Sequence, residues 1–165
     1  MRSLAQRQPI SRLGQLPTTI EGFEALEREL LMIRQPEEQQ LNHFFGDGVY
    51  VRELIIPAGR LVLGEIHKYR HVSIMITGRM MMWTSERGAF LAEAPMITVT
   101  PAGCKRVGFA LTEVRFATAH SVPGISDWEP CDANIRKFLA SKTLKDYKEF
   151  CESLPDIMPP RVVSL

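Results

Sequence analysis

Glu65, His67 and His71 form a closely spaced set of metal-ligating side-chain types in this chain. Gly59 is followed by five residues, then Glu65, one residue, His67, three residues, His71, six residues and Gly78. Side chains two residues apart on an extended strand face the same way, so Glu65 and His67 should share a face with Leu61 and Leu63. Inward leucines below and polar groups above would form the mouth of a barrel. His71 is too distant for the same short strand, and a bend over 68–70 is needed to bring it back beside the other two. Two imidazoles and one carboxylate then supply a facial set of the kind that binds iron, and that also suits manganese, nickel or zinc.

A second group of polar residues follows in the turn PAGCKR, residues 101–106. Arg106 cannot ligate a metal and stays charged, so it would clamp a substrate carboxylate or phosphate, or else pair internally with Glu65 in a site without metal. Cys104 offers a soft ligand or a reactive thiol whose pKa Lys105 and Arg106 would lower, against the commoner role of a small buried residue. Cys104, Lys105 and Arg106 are therefore the candidate ligand-binding residues. His120 ends the run VRFATAH and is a further candidate ligand. A simple hairpin with RVGFA, turning near Leu111 to Glu113, would set Arg106 opposite Ala117, whereas a shift of one residue would turn Thr118 and His120 inward. His43, beside Phe44 and Phe45, reads as a packing or surface residue, and Met80, Met81 and Met82 beside Trp83 read as core filling.

The elements that must position these groups are legible as changes of period. Residues 1–17 show neither helical nor strand periodicity and read as an extended arm. Over 18–35, Thr18 and Thr19 precede Glu21 in a capping-box pattern, and Ile20, Phe23, Leu26, Leu30 and Ile33 recur at helical spacing until Pro36, with Gly22 weakening the helix. From 44 to 122 short β-rich runs alternate with the turn signals GDG, PAG, TGR, ERG and PAG, giving about eight strands. A sandwich or small barrel of the jelly-roll type follows, since doubling or closing the sheet limits exposed edges. Helical spacing returns over 126–155, with Ser141 as a cap for its second part, and Pro155, Pro159 and Pro160 lead into a tail at 156–165.

Composition narrows the function class. The 165 residues suffice for one core, and 20 basic against 19 acidic residues give no basic excess for nucleic acid. The longest apolar runs are far too short to cross a bilayer. Cys104, Cys131 and Cys151 form no CxxC pair and no signal-peptide run opens the chain, which fits a reducing, cytoplasmic compartment.

The spacing from Gly59 to Gly78 resembles the first motif of the cupin superfamily, G-x5-H-x-H-x3/4-E-x6-G, with its ligand types permuted. Pro101 and Gly103 match the second motif, G-x5-P-x-G-x2-H-x3-N, but Pro95 stands at its leading glycine, Arg106 at its histidine and Ala110 at its asparagine. The runs HFFGDGVYVRELIIPAG, IHKYRH and PAGCKRVGFALTE are similar to those of small cupin-like proteins of tailed bacteriophages, a group in which a basic residue and a closing histidine recur at the places of Arg106 and His120. The resemblance implies a mainly β, cupin-type jelly-roll β-barrel flanked by an N-terminal helix and a C-terminal helical segment. It implies binding of a small anionic molecule at the barrel mouth beside a divalent metal (Fe, Mn, Ni or Zn), and pairing into a homo-oligomer. The degenerate second motif and the long proline-containing arms, which suit wrapping around neighbours, support the alternative of a non-enzymatic phage structural or host-interaction protein, in host cytoplasm or virion, whose barrel is a scaffold for a protein partner. Neither nucleic acid nor membrane is expected as a partner, and cupins host too many functions to fix an activity.

Overall fold

The computed structural model describes residues 16–33, 38–125, 129 and 132–154. The expected arm, except Leu16 and Pro17, and the expected tail at 156–165 lie outside them, as do residues 34–35 of the expected helix segment and parts of 126–131.

Helix α1, Ile20–Ile33, is capped by Thr19, whose hydroxyl accepts from the Gly22 amide at 3.1 Å; with glycine three residues on, the expected capping box with Glu21 does not form. Gly22 has a positive role here, because a Cβ at that position would collide with the Pro17 ring. The next hairpin joins β1, Gln40–Gly46, to β2, Val49–Ile56, through Asp47 and Gly48, whose φ angles of 40° and 79° are those a tight two-residue hairpin turn requires. The sequence reading began its β region at Phe44 and so missed the first half of β1, whose Gln and Asn residues carry little strand signal.

Nine more strands follow: β3 Leu61–Leu63, β4 Ile66–His67, β5 His71–Thr77, β6 Arg79–Thr84, β7 Gly88–Glu93, β8 Met96–Thr100, β9 Arg106–Ala110, β10 Val114–Ser121 and β11 Ala140–Ser141. A five-stranded antiparallel sheet has the order β1-β2-β10-β5-β8, and a four-stranded one the order β3-β9-β6-β7. With β1 set aside, consecutive strands are shared out between the two sheets in the arrangement of a jelly roll. The sheets face each other across one apolar cluster, with Ile56, Met75, Val114 and Phe116 from the first and Met80, Met82, Ala92 and Ala110 from the second.

Two expectations are corrected by this topology. The runs RVGFA and VRFATAH do not form a hairpin; β9 pairs with β3 and β6, and β10 with β2 and β5. The three residues between them span the roughly 10 Å between packed sheets. Leu61 and Leu63 do not line the interior either. They pack outside the four-stranded sheet, with Phe23 of α1, Trp83 and Val107, while Val62 turns inward.

Helix α1 thus covers the outer face of the four-stranded sheet, and Lys105 clamps it there. The Lys105 side chain, 1% exposed, holds Glu27 at 2.9 Å. This removes Lys105 from the candidate ligand-binding residues, since its ammonium is committed to the helix. Beyond β10 come α2, Asp132–Phe138, and α3, Leu144–Ser153, with β11 between them paired to β4. The cap of α3 is Thr143, which forms a reciprocal capping box with Asp146; Ser141 lies in β11 instead. Glu24 of α1 accepts from the Leu144 amide at 2.6 Å and ties the two helices together. No helix of the described residues is long and apolar enough to cross a membrane.

Removing the partner of a buried ammonium costs more than replacing the ammonium itself. Glu27→Ala is expected to lower unfolding free energy by about 2–3 kcal/mol, less than the usual 3–5, because the Glu27 side chain is 33% exposed. Lys105→Met, which fills the same space without charge, should cost less. Urea denaturation of both variants checks that order.

Candidate metal centre

The inward face of the five-stranded sheet is a set of rows fixed by strand register. Leu54, Phe116, Met75 and Met96 form one row, and Arg52, Thr118, Ser73 and Thr98 the row above it. Tyr50 with His120, and His71 with Thr100, make the topmost row. The two-residue period of a strand therefore stacks polar rows on an apolar one at a single end of the sandwich.

His67 arrives from a different direction. β3 ends at Leu63, and the Gly64 amide donates to the Arg106 carbonyl at 2.8 Å. The chain then leaves the four-stranded sheet, and β4 pairs with β11, Ala140 opposite His67. The alternation that would have carried Glu65 and His67 on one face is broken at this departure. Ile66 and His67 are both buried and Glu65 is half-buried. The expected bend at 68–70 is present, and His71 opens β5.

Among the described residues, the metal-capable cluster is His67, His71 and His120, with one ligand atom from each lying within 4.8 Å of the others. Ring centroids are 4.0 Å apart for His67 and His71, 4.6 Å for His71 and His120, and 5.3 Å for His67 and His120. Glu65 is outside this cluster, and His120 occupies the third place. The outer neighbour of His120 is Tyr50, fully buried, whose ring lies 6.2 Å from it and whose hydroxyl is 2.7 Å from His43 Nδ1.

Arg106 reaches across from β9 to the opposite sheet. Its Nη1 donates to the Ser73 and Thr100 hydroxyls at 2.8 and 3.2 Å, and its Nη2 lies 3.4 Å from His71 Nε2. His71 Nδ1 faces the Tyr69 carbonyl at 3.3 Å, so a proton there leaves the Nε2 lone pair free. A cavity of about 90 Å³ opens beside Arg106, lined also by Cys104, Thr84, Thr100 and Phe116, with Glu86 and Arg87 on its walls.

Burial sets the protonation of the whole group. It pushes His71 down to about 4 and His120 to about 3, and His67 well below its ordinary value, with neighbouring imidazoles and the Arg106 and Arg52 charges adding to the effect. Neutral imidazoles are the form that ligates metal. Burial lowers Arg106 to about 10, which leaves it charged at neutral pH. It also raises the Cys104 thiol, and the smaller opposing effect of Arg106 does not offset it. The expectation that Lys105 and Arg106 activate Cys104 is therefore not met.

Arg52 went unnoticed in the sequence reading although a signal existed. Arg52 and Glu53 are adjacent on one strand, and adjacent strand residues face opposite ways. Glu53 takes the outer face, bound to Asn42 and Arg115, so Arg52 is left facing inward. Its Nε is buried without a hydrogen-bond partner, as are Thr118 Oγ1, His67 Nδ1 and His120 Nε2.

No protein-family model matches the chain and no curated protein does. Solved structures with a similar course of the chain include an RmlC-like cupin with a double-stranded β-helix fold from Methanocaldococcus jannaschii (14% identity, TM-score 0.43, 55% of this chain and 84% of that one). KdgF from Halomonas sp. is 12% identical with a TM-score of 0.45, over 53% of this chain and 85% of its own. Ectoine synthase from P. lautus is 14% identical with a TM-score of 0.44, over 55% and 68%. Likeness at this level carries no inference about activity, and the jelly-roll assignment rests on the strand order.

Because the three imidazoles titrate below the ordinary 6.5, the unfolded chain takes up protons first as pH falls. Stability is complete above about pH 7 and is lost as pH falls toward the folded-state values, by up to about 1.4 kcal/mol per pH unit for each histidine. Denaturation curves between pH 7 and 5 should show this slope, and His120→Asn should flatten it; an unchanged slope would show that His120 is protonated alike in both states. Cys104 should remain unmodified by iodoacetamide in the folded protein at pH 8, read by peptide mass, and rapid labelling would contradict its burial.

Proposed function

We propose that this chain is a cupin-type binding protein in which His67, His71 and His120 hold a divalent metal and Arg106 fixes the anionic group of a small molecule beside it. The observation that carries this reading is the pair of buried, unpartnered nitrogens, His67 Nδ1 and His120 Nε2, in a cluster whose third member offers a lone pair at Nε2. Each buried polar atom left unpaired costs about 1–3 kcal/mol, and a shared ligand removes that cost at several atoms together.

The donor set narrows the expected metals. Imidazoles with no carboxylate suit zinc, nickel or iron better than manganese, which favours carboxylate and water oxygens. The nitrogens lie within 4.8 Å of one another, against roughly 3.3 Å expected for tetrahedral ligands at about 2.0–2.1 Å, so any pair near that limit must draw inward to ligate. A metal bound there would supply Lewis-acid polarisation of an oxygen atom on the ligand.

The protein's own groups do the rest. Ser73 and Thr100 hold one end of the Arg106 guanidinium, which leaves its Nη2 edge to receive a carboxylate or phosphate oxygen. The long contact from Nη2 to His71 Nε2 is weak, so releasing that lone pair costs little. A cavity of about 90 Å³, walled by Met82, Met96, Phe116 and Thr100, lies on one flank of Arg106.

Elemental analysis of protein purified without chelator is expected to show about one zinc, nickel or iron per chain. His71→Ala and His120→Ala should each lose it, while Glu65→Gln and Lys105→Met keep it. Absence of stoichiometric metal in the parent protein would end this reading, and loss in Glu65→Gln with retention in His120→Ala would restore the ligand set read from the sequence.

A further inference from the structure

We infer that the anion bound at this site carries two charges and is gripped from two sides, by Arg106 and by Arg52, with Thr118 between them. This deepens the proposed function and rests on its anionic ligand, not on its metal.

The placement comes from register. Arg52 on β2 lies opposite Thr118 on β10, and Thr118 lies opposite Ser73 on β5. At about 4.8 Å between neighbouring strands, Arg52 and Ser73 are rooted some 10 Å apart on the same inward row. Arg106, coming from the other sheet, ends on Ser73. The two arginines therefore belong to opposite ends of one inward row, with the Thr118 side chain, 2% exposed, between them.

Two buried atoms in that row await a partner. Arg52 Nε is a donor with none, and Thr118 Oγ1 is a hydroxyl with none. An anion oxygen satisfies both, since it accepts from an N–H and an O–H alike. The apolar row below, with Leu54 and Phe116, cannot do so.

The charge balance points the same way. Arg52 and Arg106 both carry positive charge toward the same inward row, one from β2 and the other from β9. Among the described residues, Glu53 faces outward onto Arg115, Glu65 lies outside the histidine cluster, and Glu86 is exposed on the cavity wall. Two like charges held in one interior are costly unless a counter-charge joins them, and a monoanion would neutralise only one. Two planar forks match a small dicarboxylate, with one carboxylate on each, or the several oxygens of inorganic phosphate.

Calorimetric titration of malonate, inorganic phosphate and acetate into the metal-free protein, dialysed free of chelator and at fixed ionic strength, tests this. Malonate or phosphate should bind at least about tenfold more tightly than acetate, the loss expected for one charge-assisted contact. Arg52→Met should erase that advantage while leaving acetate binding within about threefold of the parent, and Thr118→Val should weaken the dianion severalfold. The ligand-free Arg52→Met protein should also unfold at higher temperature than the parent, because a half-buried guanidinium with an unpartnered Nε beside another positive charge has gone. A structural arginine would give the opposite shift. Dianions binding no better than acetate, no binding of any of the three, or a dianion advantage unchanged in Arg52→Met would each overturn the inference. Metal-free titration keeps the outcome separate from the metal: a chain that holds zinc but no malonate fails here alone, and one that binds malonate but no metal fails only there.

Discussion

The site depends on the two-residue alternation of the five-stranded sheet and on the registers that align its strands. Each inward row mixes residues from four strands, so the polarity of a row is set by sequence positions far apart. Tyr50 and His120 stand together because β2 and β10 pair at that register, and Arg52 and Thr118 stand together two residues on. A one-residue slip of β10 would turn His120 and Thr118 to the outside and bring Ala117 and Ala119 in. The apolar row of Leu54, Phe116, Met75 and Met96 guards against that slip, because it would lose its own burial at the same time. The core therefore specifies the site, and not only the fold.

Elements outside the sandwich act on His67, the histidine of the cluster that the alternation does not reach. His67 lies in a two-residue strand held by backbone bonds on both sides: its carbonyl accepts from Gly103 at 2.8 Å, and β4 pairs with β11. Lys68 N donates to Leu139 O at 2.7 Å, its ammonium lies over Phe150, and Tyr69 packs edge-on against the same ring. The C-terminal segment thus forms the wall that holds His67 against His71. Its own place is set partly by Glu24 of α1, which the Lys105–Glu27 pair fixes to the sandwich. Lys105 affects the centre by this route and not as a ligand.

The fold was largely legible because its evidence is local. Short β-rich runs between glycine turns located eight strands, and Thr18 to Pro36 located α1. The site was legible only where local rules held. His67 and His71 were read correctly as neighbours across a bend, since the bend lies within a few residues. Glu65 was placed by extending strand alternation through Gly64, where the chain in fact changes sheets. His120 and Arg52 depend on which strands pair, and Lys105 on a helix about 80 residues away in sequence, information that no single run of residues contains. Assuming that successive strands form hairpins put β9 beside β10, whereas the jelly roll sends them to opposite sheets, so Arg106 meets His71 across the interior and not Ala117 along a ladder.

This crossing makes cation and anion interdependent. The His71 Nε2 lone pair faces Arg106 Nη2 in the free protein, and Nη1 is already engaged by two hydroxyls. A cation among the imidazoles would withdraw that lone pair from Arg106 and add positive charge beside a guanidinium, which is unfavourable unless an anion lies between them. An anion on the freed Nη2 edge would in turn lower the cost of holding the cation. If both bind as proposed, each ligand would raise the affinity for the other by the same factor, as linkage requires. The arginine at the place where the cupin motif has a histidine would then be the residue that ties occupancy of the metal centre to the presence of its ligand.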